Sequence, residues 1–174
     1  MQYGVLLAMI AALGTAWAQH AHRAMTVAEI VERDRWAVAT GVFHRKPSVV
    51  RFREEFRSHP DVSAFPSRLT ITWRYGGDDG SALPNAAQSA LMEKFEDALI
   101  ASLERDATAV LTVVITNDST RQWVFYSADV SVCTERIRAL PRDGGPYPIS
   151  VTSERDLQWS FLYNDVLDGM RDKS

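Results

Sequence analysis

The residues of this chain that could carry acid–base chemistry are its helical carboxylates, Glu93, Glu96 and Asp97, followed by Glu104 and Asp106. Carboxylate catalysis needs two groups in unlike surroundings, one with its pKa raised by an apolar pocket. These acids fall on the polar side of a helical pattern, which reads as a solvated face. The four histidines, His20, His22, His44 and His59, have no cysteine at metal-site spacing. His20-Ala21-His22 could chelate a transition metal only from a free amino-terminal tail. A nucleophile would need a base within reach, yet there is no G-x-S-x-G elbow and no recognisable Ser, His and Asp set. Gly76-Gly77-Asp78-Asp79-Gly80 precedes a helix, but it lacks the Walker lysine and puts two carboxylates where phosphate would sit. No catalytic residue, metal ligand or cofactor is expected.

The cations and aromatics leave two further readings. Arg121-Gln122-Trp123-Val124-Phe125-Tyr126 places large aromatics beside a cation on a strand, as an RNA-stacking platform would. The glycines of such a platform are missing, and a net charge of -3 with pI near 5.8 offers no field for phosphate backbones. Trp123 and Phe125 are therefore expected to point together into a core. The second reading concerns Thr70, Thr72, Arg74, Thr112, Ser150 and Thr152, a hydroxyl-rich sheet face. It reads as solvated, or as a ligand or partner site where Arg51, Arg53 or Arg74 receives an anionic group.

These side chains are positioned by a regular series of elements. Met25 to Asp34 is a short lead-in helix or turn, and Trp36 to Phe56 holds two strands around His44-Arg45-Lys46-Pro47. In the second arm Arg51 and Arg53 share one face, Val50 and Phe52 the other. A strand follows from Leu69 to Tyr75, with Leu69, Ile71, Trp73 and Tyr75 inward. Asn85 to Asp106 is a long helix with Leu91, Phe95, Ala98, Leu99 and Leu103 as its buried stripe. Ala109–Thr116 and Gln122–Tyr126 form a hairpin. Asp129 caps a helix from Val130 to Leu140, and Tyr147–Thr152 is the last strand. A final helix, Asp156 to Gly169, docks through Trp159, Leu162, Val166 and Met170. The order from Leu69 on is strand, helix, strand, strand, helix, strand, the split βαβ or ferredoxin-like sandwich. Cys133 is the single cysteine, so no intramolecular disulfide forms, and its spacing with Val130, Ile137 and Leu140 makes it a buried, inert side chain.

Composition adds bounds: 174 residues, 46% hydrophobic and 24% charged, make an ordinary single domain, placed at residues 30–170. The first 19 residues hold no Asp, Glu, Lys or Arg, and the apolar run Val5 to Leu13 ends in Ala16-Trp17-Ala18. That pattern fits a signal peptide over 1–18 and an exported protein. An over-extended start, with Met25 as the first residue of a cytoplasmic chain, is the competitor. The run is too short to favour a stable membrane span.

Trp36, Lys46-Pro47 to Arg53, Trp73-Arg74-Tyr75, Leu83-Pro84 and Met92 to Leu99 recur in a specific joint order with Val110 to Thr116. The order continues through Arg121 to Tyr126, Tyr147-Pro148-Ile149, Asp156 and Trp159. From Arg35 to Tyr163 this order resembles the bacterial domain-of-unknown-function family 695. A more distant similarity is to B-type protein regulators of ribonuclease E. The resemblance implies an α+β, ferredoxin-like sandwich with an amino-terminal β-hairpin and a carboxy-terminal helix. It carries no established activity, and implies structural roles for Trp73, Arg121, Trp123, Phe125, Tyr126, Tyr147 and Trp159. The expected function is a non-catalytic binding or regulatory domain with a protein partner. A hydrolytic enzyme is the alternative, and single-stranded RNA binding the second.

Overall fold

The structure is a computed structural model that describes residues 25–43, 45–76, 83–141 and 145–169. The segment 1–18, His20, His22, His44, most of the loop 76–80, Gly144 and Met170 lie outside them. Helix α1 (Val27–Arg33) begins at a capping box: the Thr26 hydroxyl accepts from the Glu29 amide, and the Glu29 carboxylate accepts from the Thr26 amide. Asp34, in the left-handed region, ends it. Strands β1 (Trp36–Phe43) and β2 (Lys46–Arg53) then form a hairpin, followed by a 3₁₀ turn (Glu54–Ser58). Lys46 and Pro47, expected in the turn, are the first residues of β2. Pro47 lies opposite Val42, beyond the Ser48 end of the ladder between β2 and the strand on its other side, so its missing N–H breaks no bond there.

The chain continues through β3 (Ser67–Arg74), α2 (Ala86–Leu103), β4 (Ala109–Asn117), β5 (Thr120–Ser127) and α3 (Val130–Arg138). They are followed by β6 (Ile149–Arg155) and α4 (Phe161–Asp168). All six strands lie in one open antiparallel sheet of order β1-β2-β4-β5-β3-β6. The molecule is α+β. Its β3-to-β6 portion has the element order expected, and the hairpin adds β1 and β2 beyond β4.

One sheet face is closed by α2 and α3. Leu69, Ile71, Trp73, Leu111, Trp123 and Phe125 meet Met92, Phe95, Leu99, Cys133 and Ile137 there. Trp123 and Phe125 do point at the helices, both fully buried. Cys133 lies against the Ser127 hydroxyl, Sγ to Oγ 3.1 Å, and burial pushes its thiol pKa up, which suits an unreactive side chain. Leu91, expected in the α2 stripe, is 58% exposed; Met92 and Glu96 turn inward instead, so the stripe runs 92, 95, 96, 99 and 103.

The opposite face is not simply solvated. Over β2, β4 and β5 it carries a second core, where Phe52, Val110, Val113, Val124 and Tyr126 pack against α1, the 3₁₀ turn and α4. Thr112, expected on an open hydroxyl surface, is fully buried; its hydroxyl donates to the Val124 carbonyl beside a bulge between Leu111 and Val113. Only the β3–β6 margin keeps the expected character, with Thr70 and Thr72 half-buried and Ser150, Thr152 and Arg74 exposed.

The last helix also starts later than its periodicity suggests. Ser160 holds the cap position, and the Asp156 carboxylate upstream accepts from the amides of Ser160 and Phe161 and from the Tyr126 hydroxyl, while Trp159 turns the chain with φ of 53°. Burial opposes ionisation of Asp156, but these three donors hold its carboxyl below the usual range. The helix itself is wound with π-type hydrogen bonds.

Tyr163 of α4 stacks on His59 at 4.4 Å, and burial pushes its hydroxyl pKa up to about 12. A free tyrosine titrates near 10, so the fold favours the neutral form. Its contribution to stability is intact below about pH 10 and is lost as pH rises through about 12. Urea unfolding across that window should therefore show a shallower alkaline loss in Tyr163→Phe than in wild type. Equal slopes would refute the assignment.

Candidate functional site

The hairpin projects past α2, and the sheet register arranges its side chains in rows. On the α2 face one row runs Val38, Arg51, Val114, Trp123, and the next runs Thr40, Val49, Thr116, Arg121. Helix α2 covers Trp123 but leaves the β1–β2 end of both rows open. The result is a shelf at the flank of α2, with Val38 62% and Val42 68% exposed at its outer edge.

Arg51 stands at the inner wall of this shelf, its guanidinium 4.6 Å from the centre of the Trp36 ring and ion-paired to Glu96. Glu96 is nearly buried, because its second oxygen accepts from the Trp123 indole N–H at 2.7 Å. Arg121 lies diagonally across β4. Its Nε donates to the Thr116 hydroxyl at 3.0 Å, while its two terminal nitrogens make no hydrogen bond among the described residues. Burial lowers its pKa and the Arg51 charge adds to that, against the opposing pull of Glu96. It stays a cation at neutral pH. Arg51 is thus paired to an inward-facing carboxylate that also attracts Arg121 at longer range, and an anionic group would satisfy the terminal nitrogens of Arg121.

The other residues singled out from sequence are dispersed. Arg53, whose side chain is 2% exposed, forms a fork with Glu104 at 2.9 and 3.0 Å and also reaches Asp34 at 3.0 Å, so it serves the core. Thr70, Thr72 and Arg74 lie on the opposite sheet face from Arg51, three strands away from β2. Trp73 packs edge-on to Phe95 and meets Tyr147, whose hydroxyl donates to the Pro141 carbonyl. Tyr126 stacks on Trp159 at 4.0 Å. Glu96 and Glu104 correct the expectation of a solvated acidic helix face. The signal that could have found them is the pair Arg51 and Arg53, alternate residues of one strand that need counterions if that face is covered.

Beneath the hairpin, on the other face, an open groove of about 750 Å³ runs between the sheet and α4. Ala39, Val50, Ile115, Phe161 and Val166 line it, with Gln122 and Asp165 among its polar members. Asp165 is the one charged residue among the described residues that line it.

Among the described residues there is no cluster of three or more His, Cys, Asp or Glu able to hold a metal, and no helix long and apolar enough to cross a membrane. A family model matches residues 34–167, from the end of α1 into α4. The chain belongs to the family of unknown function DUF695. No curated protein and no solved structure matches it. The match gives the hairpin a place inside the DUF695 domain, since β1 and β2 fall within it and the shelf is built on them. Trp123, Phe125, Tyr126 and Trp159 of this DUF695 chain are core residues, whereas Arg121, in the same run, reaches the shelf.

Proposed function

We propose that this chain is a non-catalytic binding domain that takes an acidic, partly apolar segment of another protein on the shelf. Arg51 and Arg121 receive its carboxylates, and Val38, Val42 and Val49 its apolar side chains. The observation that carries this is Arg121: a half-buried cation with open terminal donors, one row from a second arginine, in a chain of net acidic charge. Opposite charges across such a contact add both attraction and register. An exported location, resting on residues 1–18, would make the partner an extracytoplasmic protein; the amino-terminal residue of the native chain decides it.

Selection of displayed random peptides on the full-length protein tests the reading. Recovered peptides should combine Asp or Glu with aliphatic residues and bind more weakly as salt rises. A hydrogen bond to a charged group is worth about 1.5 to 3 kcal/mol, so Arg121→Gln should weaken them roughly tenfold to a hundredfold at an unchanged melting temperature. Arg74→Glu, on the far face, should leave binding as it was. Peptides without acidic residues, or equal binding by Arg121→Gln, would sink the proposal.

A further inference from the structure

The two edges of the sheet are guarded unequally. Strand β6 follows Pro148 and ends in Glu154 and Arg155, charged residues of the kind that block edge pairing. Strand β1 reads Trp36-Ala37-Val38-Ala39-Thr40-Gly41-Val42-Phe43, eight residues without a charge or a proline. Its hydrogen-bonding phase is set at its start, where the Glu54 amide donates to the Arg35 carbonyl at 3.3 Å. Amide groups alternate in direction along an antiparallel strand, so Ala37, Ala39 and Gly41 turn theirs to β2. Trp36, Val38, Thr40 and Val42 turn theirs outward, over the length of the strand.

From this geometry we infer that β1 pairs antiparallel with β1 of a second copy, about a two-fold axis at Thr40. The phase allows only registers that set outward-facing residues opposite one another, and this one meets that condition. It places Thr40 against Thr40 of the other copy and Val38 against Val42, a ladder of β-branched pairs on the shelf face. On the groove face it sets Ala39 against Gly41, where a side chain added at Gly41 would meet no described atom within 4 Å. No charge on either strand opposes another. The sheets of the two copies become one, and their shelves lie side by side. A single pair of short edges lies at the small end of specific interfaces, so the dimer is weak and concentration-dependent.

Sedimentation velocity of the full chain between about 1 and 200 µM should show a monomer converting to a dimer. Because the Thr40 amide faces outward, Thr40→Pro removes no bond to β2, and it should weaken dimerisation at least about tenfold. Val38→Lys should do the same, with the circular dichroism of wild type. Opposed residues of a hydrogen-bonded pair stand about 5.5 Å apart at Cα, within disulfide range, so Thr40→Cys should cross-link on mild oxidation while Ala39→Cys stays monomeric. The native Cys133 is fully buried and takes no part. A chain monomeric at every concentration, a dimer indifferent to Thr40→Pro and Val38→Lys, or cross-linking through Ala39→Cys instead would each overturn the inference. Peptide selection depends on Arg121 and this assembly on Thr40, so either can fail without the other.

Discussion

Replacing Glu104 with Ala should destabilise the fold by about 3 to 5 kcal/mol, because it strands a cation in the interior. The Arg53 side chain is 2% exposed and that of Glu104 6%, and the fork between them joins β2 to the end of α2. Glu104 also accepts from the Leu111 amide at 2.6 Å, beside the bulge, so its loss opens a buried backbone donor as well. Asp34 cannot substitute, since it contacts one nitrogen of Arg53 from the solvent side. A buried pair removed as a pair is far less damaging than one broken. Arg53→Met combined with Glu104→Gln should therefore come within about 1 kcal/mol of wild type, with the glutamine carbonyl still serving Leu111. Urea unfolding of the three chains decides it. If Glu104→Ala lost less than about 1 kcal/mol, the fork would behave as a surface pair and the argument would fail.

Trp159→Ala should also lose about 3 to 5 kcal/mol, the usual range for emptying a large aromatic site, and should detach α4 from the sheet. Trp159 is fully buried; its ring stacks on Tyr126 and meets Phe56 at 5.2 Å, and its indole N–H donates to the Phe65 carbonyl at 2.9 Å. It also holds a left-handed backbone turn, so it fixes where the chain enters α4. Domains of this size are stable by only about 5 to 15 kcal/mol, which makes the loss a large share of the total. Hydrogen exchange should show residues 161–168 opening before the sheet. Uniform exchange across the chain, or a loss below about 1 kcal/mol, would show that α4 is held by other contacts.

Much of the β3-to-β6 body is legible in the residues, because period 2 and period 3.6 mark which side of each element is apolar. Leu69, Ile71 and Trp73 on β3, and Trp123 and Phe125 on β5, face the helices as their alternation requires. The ends of elements were harder to read. Asp156 belongs to the apparent last helix by spacing, yet lies upstream of it, where Tyr126, thirty residues earlier, and two following amides all donate to it. The candidate site was half visible. Arg51 stood out as a cation on a strand, but Arg53, its neighbour by alternation, belongs to the core, and Thr70, Thr72 and Arg74 lie on another face.

The amino-acid sequence by itself determined the α+β class, the identity of most strands and helices, the inward aromatics and the inert thiol. Each is a property of a few neighbouring residues, whose side-chain direction follows from backbone period. The tertiary structure alone decided that β2 lies against β4. It thereby decided that Glu96 and Glu104 are buried partners of arginines 45 and 51 positions away, and that a second core covers Tyr126. A charge reads as solvent-facing until its counterion is known, and strand pairing brings counterions from far along the chain. Arg121 shows the difference within one motif: its neighbours fill a core, while at the flank of α2 its terminal nitrogens make no hydrogen bond among the described residues.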